Sequence, residues 1–205
     1  MNEILKTFKK FDPLANDNTA ISDCPGNYVI ALREDAVLPG DMQPDYIPCC
    51  TLEGVAYRVI YTGISSKSLR KRDYRQHFTG NNAGQFTLRK SLGSLMGLSK
   101  IPRNAGDPEN GKTKFNDEDK PTILFNRFEQ QKYMEKFNDD DEAQLSLWMA
   151  ANLLLFFKPS TQHENPKVLE RELIEKINPP LNIKDNPNDV NNGYRRYLSD
   201  LRRHK

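Results

Sequence analysis

The sequence predicts a single α/β domain in which a small sheet is covered by helices. The chain has 205 residues, enough to bury a core without disulfide or metal support. Its ten Phe, eight Tyr and one Trp argue against wholesale disorder. Apolar runs of strand type alternate with segments in which apolar residues recur at helical spacing. The predicted strands are residues 28–32, 56–61 and 153–157.

The N-terminal part combines a helix, a strand and a long loop. Residues 2–11 carry apolar side chains at helical spacing, which predicts an amphipathic helix. The first strand follows Pro25-Gly26. Residues 34–53 contain three prolines and show no period, so we expect a long loop inserted between the first two strands.

Helices are predicted after the second strand. Ser66 or Ser68 would cap a basic helix that runs to about residue 78, and a second helix covers residues 87–96. Residues 99–120 are rich in Pro, Gly, Asn and charge, and 121–137 are predicted as helix, so that 99–137 forms a second insertion.

The C-terminal part alternates helix and strand. Asp139 and Glu142 form a capping box that predicts a helix start, and the strand at 153–157 follows. The next helix covers 168–177, because Pro179-Pro180 cannot continue it. A basic helix is predicted for residues 192–205, and we interpret residues 1–205 as one domain.

Membrane and exported proteins fit the sequence poorly. The longest apolar run is about half of the ~20 residues that a membrane span needs. The N-terminus lacks a secretory signal pattern. Three cysteines, two of them adjacent, give neither a disulfide framework nor a zinc motif. We therefore expect a reduced, cytoplasmic location.

Charge is strongly segregated along the chain. Residues 64–103 contain nine Lys or Arg and one acid, whereas residues 104–143 contain eleven acids and six bases. Two such blocks either form salt-bridged surfaces or leave the basic block as a footprint for phosphates. The charge pattern alone leaves both interpretations open.

The residues that carry chemistry lie around the predicted strands. Tyr28 follows Gly26 on the first strand, and Tyr61 precedes Gly63 on the second. If these strands are neighbours, both phenols can lie on one face of the sheet. A basic helix with Arg72 and His77 follows directly. Much later, Glu170 opens an E-x-x-L-I pattern that ends in Pro179-Pro180-Leu181-Asn182.

This ordered set resembles the GIY-YIG nuclease family, in particular its small stand-alone bacterial members. The resemblance runs from Gly26 to Asn182 and implies a catalytic core at about 24–185. It also implies a mainly antiparallel sheet of about three strands flanked by helices, with the insertions and terminal helices as additions.

The resemblance implies a metal-dependent hydrolase of phosphodiesters. Glu170 would hold one Mg²⁺ or Mn²⁺ ion, and Arg72 would contact the scissile phosphate, which a guanidinium fork suits well. Tyr28, packed among cations, would accept a proton from the attacking water, and Tyr61 would orient the water or a phosphate oxygen. His77 would accept or relay a proton.

Four further residues are candidates for substrate contact, with Asn182 also expected to fix the Glu170 end of the site. They are Gly63, Lys67, Arg89 and Asn182. Lys67 is also the candidate for a cation near Tyr28, because Ile64 stands where many relatives carry a lysine or a small polar residue. His77 follows Arg72 by five residues instead of four, which on an α-helix places the two about 140° apart.

Two functions remain open at this point. The first is a DNA endonuclease, which would need dimerisation or successive nicks to cut both strands. The second is a catalytically inactive nuclease-fold module that binds nucleic acid or acts in assembly. The complete set Tyr28, Tyr61, Arg72 and Glu170 favours the enzyme, because an inactive relative is expected to have lost at least one member. The sequence does not predict the DNA sequence or structure that is recognised.

Overall fold

The computed structural model describes residues 6–52, 54–79, 87–102 and 135–204. Within these ranges the protein has a mixed α/β fold, with an antiparallel sheet flanked by helices, which confirms the predicted fold class. The strands are β1 (Lys9–Phe11), β2 (Gly26–Leu32), β3 (Cys49–Leu52), β4 (Val55–Ser65), β5 (Lys100–Pro102), β6 (Glu135–Phe137) and β7 (Leu153–Pro159). The helices are α1 (Arg70–Phe78), α2 (Thr87–Leu95), α3 (Asp139–Asn152), α4 (Pro166–Ile177) and α5 (Asn192–His204), with a short 3₁₀ turn at Asn18–Ala20.

The main sheet has five strands in the order β1-β7-β2-β4-β3, and all neighbouring pairs are antiparallel. The three predicted strands are its centre, and β1 and β3 add one strand at each edge. A separate ribbon pairs β5 with β6. Every residue of β2 is buried, as expected for a central strand covered on both faces.

The two faces of the sheet belong to two apolar clusters. Tyr28 and Ile30 of β2 lie in the larger cluster, together with residues of α2, α3 and α5. Val29 and Ala31 alternate to the opposite face and join the smaller cluster, which contains residues of α4. The site described below lies on the side of the larger cluster.

The predicted helix over residues 2–11 is wrong where the structure describes it. Residues 9–11 form β1, which pairs with β7. Phe8 and Phe11 are both buried, but they belong to the two different apolar clusters. Residues three apart on an extended chain point to opposite faces, so the spacing that suggested one helical face in fact serves two faces of a sheet. Residues 1–5 lie outside the described part of the chain.

Both predicted insertions need correction at their ends. The predicted loop at 34–53 ends in a strand, β3, which forms a hairpin with β4. In the second insertion, residues 135–137 form β6 and not the end of a helix. The remainder of that predicted helix, and most of the 99–120 segment, lies outside the described residues. Strand β4 also extends beyond the predicted end, to Ser65.

Three helix termini illustrate how local sequence shapes the fold. Ser68 accepts a hydrogen bond from the Lys71 amide and caps α1, which was one of the two predicted caps. The cap of α3 is Asn138, whose side chain accepts from the Asp141 amide, so Asp139 is not the cap as predicted. Helix α4 ends at Asn178, whose left-handed backbone (φ 56°) turns the chain into the predicted proline stop.

Within the described part of the chain, no helix combines the length and the apolar character needed to cross a bilayer.

Candidate active site

The pairing of β2 with β4 brings the two tyrosines together. Tyr28 lies opposite Gly63, and Ile30 lies opposite Tyr61. The two tyrosines are therefore diagonal neighbours on one face of the sheet, with ring centroids 6.1 Å apart. This arrangement confirms the expectation that neighbouring strands would place both phenols on one face.

Gly63 leaves room for the Tyr28 phenol. A Cβ atom at position 63 would lie 2.5 Å from the Tyr28 hydroxyl, closer than packed atoms approach. No side chain is accommodated there unless Tyr28 moves. Gly63 is itself buried, so the structure gives this glycine a packing role, and its predicted substrate contact stays a prediction.

The Tyr28 hydroxyl forms a hydrogen bond with His77. Its oxygen lies 2.9 Å from Nε2 of the imidazole, and both residues are buried. Burial lowers the pKa of His77 well below its ordinary value, and the positive charges of Arg72 and Arg89 lower it further. His77 is therefore a neutral imidazole at physiological pH, with Tyr28 as its partner.

Helix α1 has π-type hydrogen bonding, from residue i to i+5. This bonding lengthens the turn, so residues five apart lie close to one turn apart. His77 lies five positions after Arg72 in the chain. The predicted angle of about 140° assumed α-helical geometry and is wrong for this helix, and the charge of Arg72 accordingly acts on His77.

Glu170 of α4 lies at a pocket of about 450 Å³. The carboxyl group is half-buried, and burial is the main cause that raises its pKa. The positive charges of Arg72 and Lys167 oppose this rise, and the negative charge of Asp185 adds to it. The residues that line the pocket are Tyr61, Ile64, Thr87, Lys167, Glu170, Arg171, Ile174, Asn182, Ile183, Lys184 and Asp185.

Tyr61 connects this pocket with the buried part of the site. Its ring is 8% exposed and forms part of the pocket wall, whereas Tyr28 is fully buried behind it. Burial raises the pKa of Tyr61, Glu170 raises it further, and Arg72 and a hydrogen bond with Tyr28 lower it. Arg72, Glu170 and Tyr28 therefore all act on the Tyr61 phenol, and the fourth predicted group, His77, is hydrogen-bonded to Tyr28.

Arg202 also acts on Tyr61, and our sequence analysis did not single it out. This residue of α5 is partly buried, and its positive charge lowers the pKa of Tyr61. Burial in turn lowers the pKa of Arg202. The only feature of the sequence that pointed to Arg202 was its place in the predicted basic C-terminal helix. Local sequence patterns do not show that this helix packs near β4, because that depends on the tertiary structure.

Asn182 is committed to the backbone of β4. Its amide oxygen accepts a hydrogen bond from the Thr62 amide at 2.9 Å, and its amide nitrogen donates to the Thr62 carbonyl at 2.9 Å. This pair of bonds fixes the strand between Tyr61 and Gly63. The structure therefore gives Asn182 a positioning role, and since Asn182 also lines the pocket its substrate contact stays a prediction.

The side chain of Arg89 is completely buried, which argues against the predicted phosphate contact. It forms an ion pair with Glu142 and donates hydrogen bonds to the His77 carbonyl and the Ser146 hydroxyl. A basic residue on a helix is usually exposed to solvent, but Arg89 is buried because Glu142 of α3 supplies a charged partner for it inside the protein.

Lys67 is exposed on the segment that follows β4. The cations that act on Tyr61 in the described structure are Arg72 and Arg202. The proposed role of Lys67 beside Tyr28 stays a prediction.

The donors at the pocket fit a hard divalent cation held by few protein ligands. Within the described residues, no group of three or more His, Cys, Asp or Glu side chains is placed to hold a metal together. Glu170 and Asp185 both line the pocket and are close enough for their charges to interact. Mg²⁺ prefers oxygen ligands and retains several waters, so one or two carboxylates on an open pocket suit it.

Paired tyrosines, an arginine and a pocket glutamate thus lie together on an antiparallel α/β fold. The family model described as the GIY-YIG catalytic domain matches residues 26–128 and 124–204 of the chain. The chain therefore belongs to the GIY-YIG family. No curated protein and no solved structure matches it. Membership supports a nuclease function with DNA as the substrate.

Proposed function

We propose that this protein is a divalent-metal-dependent endonuclease that hydrolyses phosphodiester bonds in DNA. One observation carries the proposal: Tyr61 and Glu170 line the same pocket, and the charge of Arg72 acts on both. Phosphodiester hydrolysis needs an activated water, a cation at the phosphate and help for the leaving oxygen. The pocket brings together residue types suited to each requirement.

The water-activating group is Tyr61, and Tyr28 and His77 stand behind it. Tyr28 is buried, so we revise the expectation that it meets the water directly. A proton from the water passes to the Tyr61 oxygen as the Tyr61 proton passes to Tyr28 and the Tyr28 proton to Nε2 of His77. Neutral His77 has the lone pair that this relay requires, and the Tyr28–His77 hydrogen bond supplies the last step.

Arg72 binds the scissile phosphate. Its guanidinium suits two phosphoryl oxygens. The charge of Arg72 acts on Tyr61, so a phosphate bound to Arg72 would lie beside the water that Tyr61 activates. The negative phosphate also offsets the charge of Arg72, which otherwise lowers the pKa of His77. Substrate binding thus makes His77 a better proton acceptor when one is needed.

Glu170 would hold the metal ion, and Asp185 lines the same pocket. When bound, Mg²⁺ or Mn²⁺ supplies charge stabilisation at a phosphoryl oxygen and at the leaving 3′ oxygen. The described residues form one such site, so cleavage of both DNA strands requires two chains or two successive nicks.

The test is nicking of a supercoiled plasmid in Mg²⁺ by the wild-type protein and by Glu170→Gln. The matched control is Glu175→Gln, an exposed acid on the same helix. We expect Glu170→Gln to lose about a thousandfold or more of the cleavage rate, since it loses the charge that holds the metal. We expect the control to cleave like the wild type.

A second readout does not depend on cleavage. Mg²⁺ should raise the melting temperature of the wild type and of Glu175→Gln, but not that of Glu170→Gln, because a ligand stabilises the state that binds it. Equal cleavage by wild type and Glu170→Gln would remove Glu170 as the metal ligand. If the folded wild type binds DNA but does not cleave it, the binding-module alternative is favoured.

A further inference from the structure

A buried ion pair lies directly behind the His77 end of the proposed relay, and the proposed chemistry does not use it. Arg89 of α2 is 0% exposed and Glu142 of α3 is 3% exposed. The pair is sealed from solvent, so it contacts neither DNA nor the metal. Buried ion pairs contribute little net stability compared with well-packed apolar residues, which leaves its presence here to be explained.

The contacts of Arg89 join three elements at one point. One terminal nitrogen donates to the main-chain carbonyl of His77 on α1. The other binds the Glu142 carboxylate and donates to the Ser146 hydroxyl at 2.9 Å, both on α3. A guanidinium fork can bind the three groups together, whereas an ammonium is a compact point charge on a flexible stem. Only the His77 contact involves a residue of the proposed site.

We propose that the Arg89–Glu142 ion pair is a positioning device for His77, holding the main chain of that residue so that its imidazole stays against Tyr28. This inference rests on the proposed function for its effect on cleavage. The residue held is the last acceptor of the relay, and α1 has π-type bonding, which is intrinsically less regular than an α-helix. An anchor at the His77 carbonyl fixes the helix where the relay needs it.

The groups around His77 also give the pair an electrostatic role. Tyr28 faces it from β2, Arg72 lies on its own helix, Arg89 comes from α2, and Glu142 of α3 lies behind Arg89. Arg72 and Arg89 both disfavour protonated His77. Glu142 is the ion-pair partner of Arg89, and Arg72 is the cation that a bound phosphate offsets.

The test removes the pair without leaving a buried charge. The variant Arg89→Met/Glu142→Leu replaces both members with apolar residues, an exchange that folds tolerate well. We expect a folded protein in which kcat for plasmid nicking falls about tenfold while KM for DNA is unchanged, because Arg89 acts through His77 and never touches the substrate. The matched control is Asp12→Leu/Arg33→Met, which removes a partly exposed ion pair elsewhere and should leave both parameters unchanged.

A measurement on the imidazole itself separates this proposal from the proposed function. The chain has three histidines, so the ring signals can be followed by NMR and assigned with a His77→Gln variant. In the wild type, His77 should stay neutral well below the pH at which ordinary histidines titrate. In the double variant its titration should move to higher pH, because the charge of Arg89 is gone.

Two results would overturn the proposal. One is an unchanged kcat together with an unchanged His77 titration in the folded double variant. The other is a rise in KM with kcat unchanged, which would make Arg89 the substrate contact that the sequence suggested. If the double variant does not fold, Arg89→Lys serves instead, since it keeps the charge and loses the fork, and a wild-type kcat would then refute the proposal. An inactive wild type would refute only the proposed function.

Discussion

Arg72 and Arg89 lie on consecutive helices, and from the sequence both are basic residues in one positive block. Arg89 is sealed in the core, where a carboxylate, a hydroxyl and a main-chain carbonyl bind it. Arg72 is partly exposed and acts on the ionisable groups at the pocket. Two arginines seventeen residues apart in the chain therefore have different surroundings: one is held in a buried ion pair, and the charge of the other acts on Tyr61 and Glu170. The partner that each meets in space makes the difference.

The largest effect on folding should come from Arg89→Ala. This substitution leaves Glu142 buried without its partner, and we expect the free energy of unfolding to fall by about 3–5 kcal/mol. Chemical denaturation of the variant and the wild type measures the difference. A loss below about 1 kcal/mol would mean that the buried pair is dispensable to the fold.

Arg72→Ala should have the opposite profile. We expect the cleavage rate to fall about a hundredfold or more, because the variant lacks the cation at the phosphate, while the free energy of unfolding changes by less than about 1 kcal/mol. Plasmid nicking and denaturation are measured on the same preparations. Lys71→Ala, an exposed neighbour, is the control and should match the wild type in both. If Arg72→Ala destabilises the protein as much as Arg89→Ala, the contrast between the two arginines fails.

Gly63→Ala tests the packing that sets the tyrosine geometry. The added Cβ needs the space of the Tyr28 hydroxyl, so the phenol must leave its position against His77. We expect about a tenfold loss of cleavage and a destabilisation of about 1–3 kcal/mol from overpacking. Gly193→Ala on α5, where a Cβ would meet nothing within 4 Å, should change neither. Wild-type cleavage by Gly63→Ala would show that the relay does not depend on this contact.

The smallest effect is a gain in stability from Glu170→Gln. Burial raises the pKa of Glu170 in the folded protein, so ionisation of this carboxyl group opposes folding. Below the usual pKa of a glutamate, about 4.3, Glu170 is protonated in both the folded and the unfolded state, and its full contribution to stability is present. This contribution is lost as the pH rises through the raised pKa of Glu170 in the folded protein. Without added metal, Glu170→Gln should melt about 1–3 °C above the wild type at neutral pH. The difference should vanish in acid, and Glu175→Gln should show none. A variant that is less stable than the wild type at neutral pH would contradict this account.

Much of the fold and the site was predictable because it depends on local patterns. The central strands are short apolar runs, and the family resemblance that Tyr28, Tyr61, Arg72 and Glu170 carry was enough to predict a shared site. The features that were missed depend on partners distant in sequence. Glu142 looked like half of a capping box because it follows an acidic helix start, yet it turns inward to a helix more than fifty residues earlier.

The edges of the fold were harder for a different reason. Phe8 and Phe11 have a spacing that serves either one helical face or two faces of a sheet, and only the presence of an apolar layer on each side decides between them. The sequence also did not determine which of the two tyrosines lies at the pocket surface and which is buried behind it. Sequence places Tyr28 and Tyr61 on one face, but which of them reaches solvent depends on the helices that cover the sheet.

The hydrogen bonding of α1 has a consequence for tolerance to insertions and deletions. A helix that bonds from i to i+5 has about one residue more in each hydrogen-bonded turn than an α-helix. An interval of five residues between Arg72 and His77, in place of four, therefore still leaves the two side chains close together. Removing one residue from this interval should convert the segment into a regular α-helix with a four-residue interval. Length variation at this point of the chain is therefore compatible with an intact site, and alignments that treat it as a lost histidine would misjudge the protein.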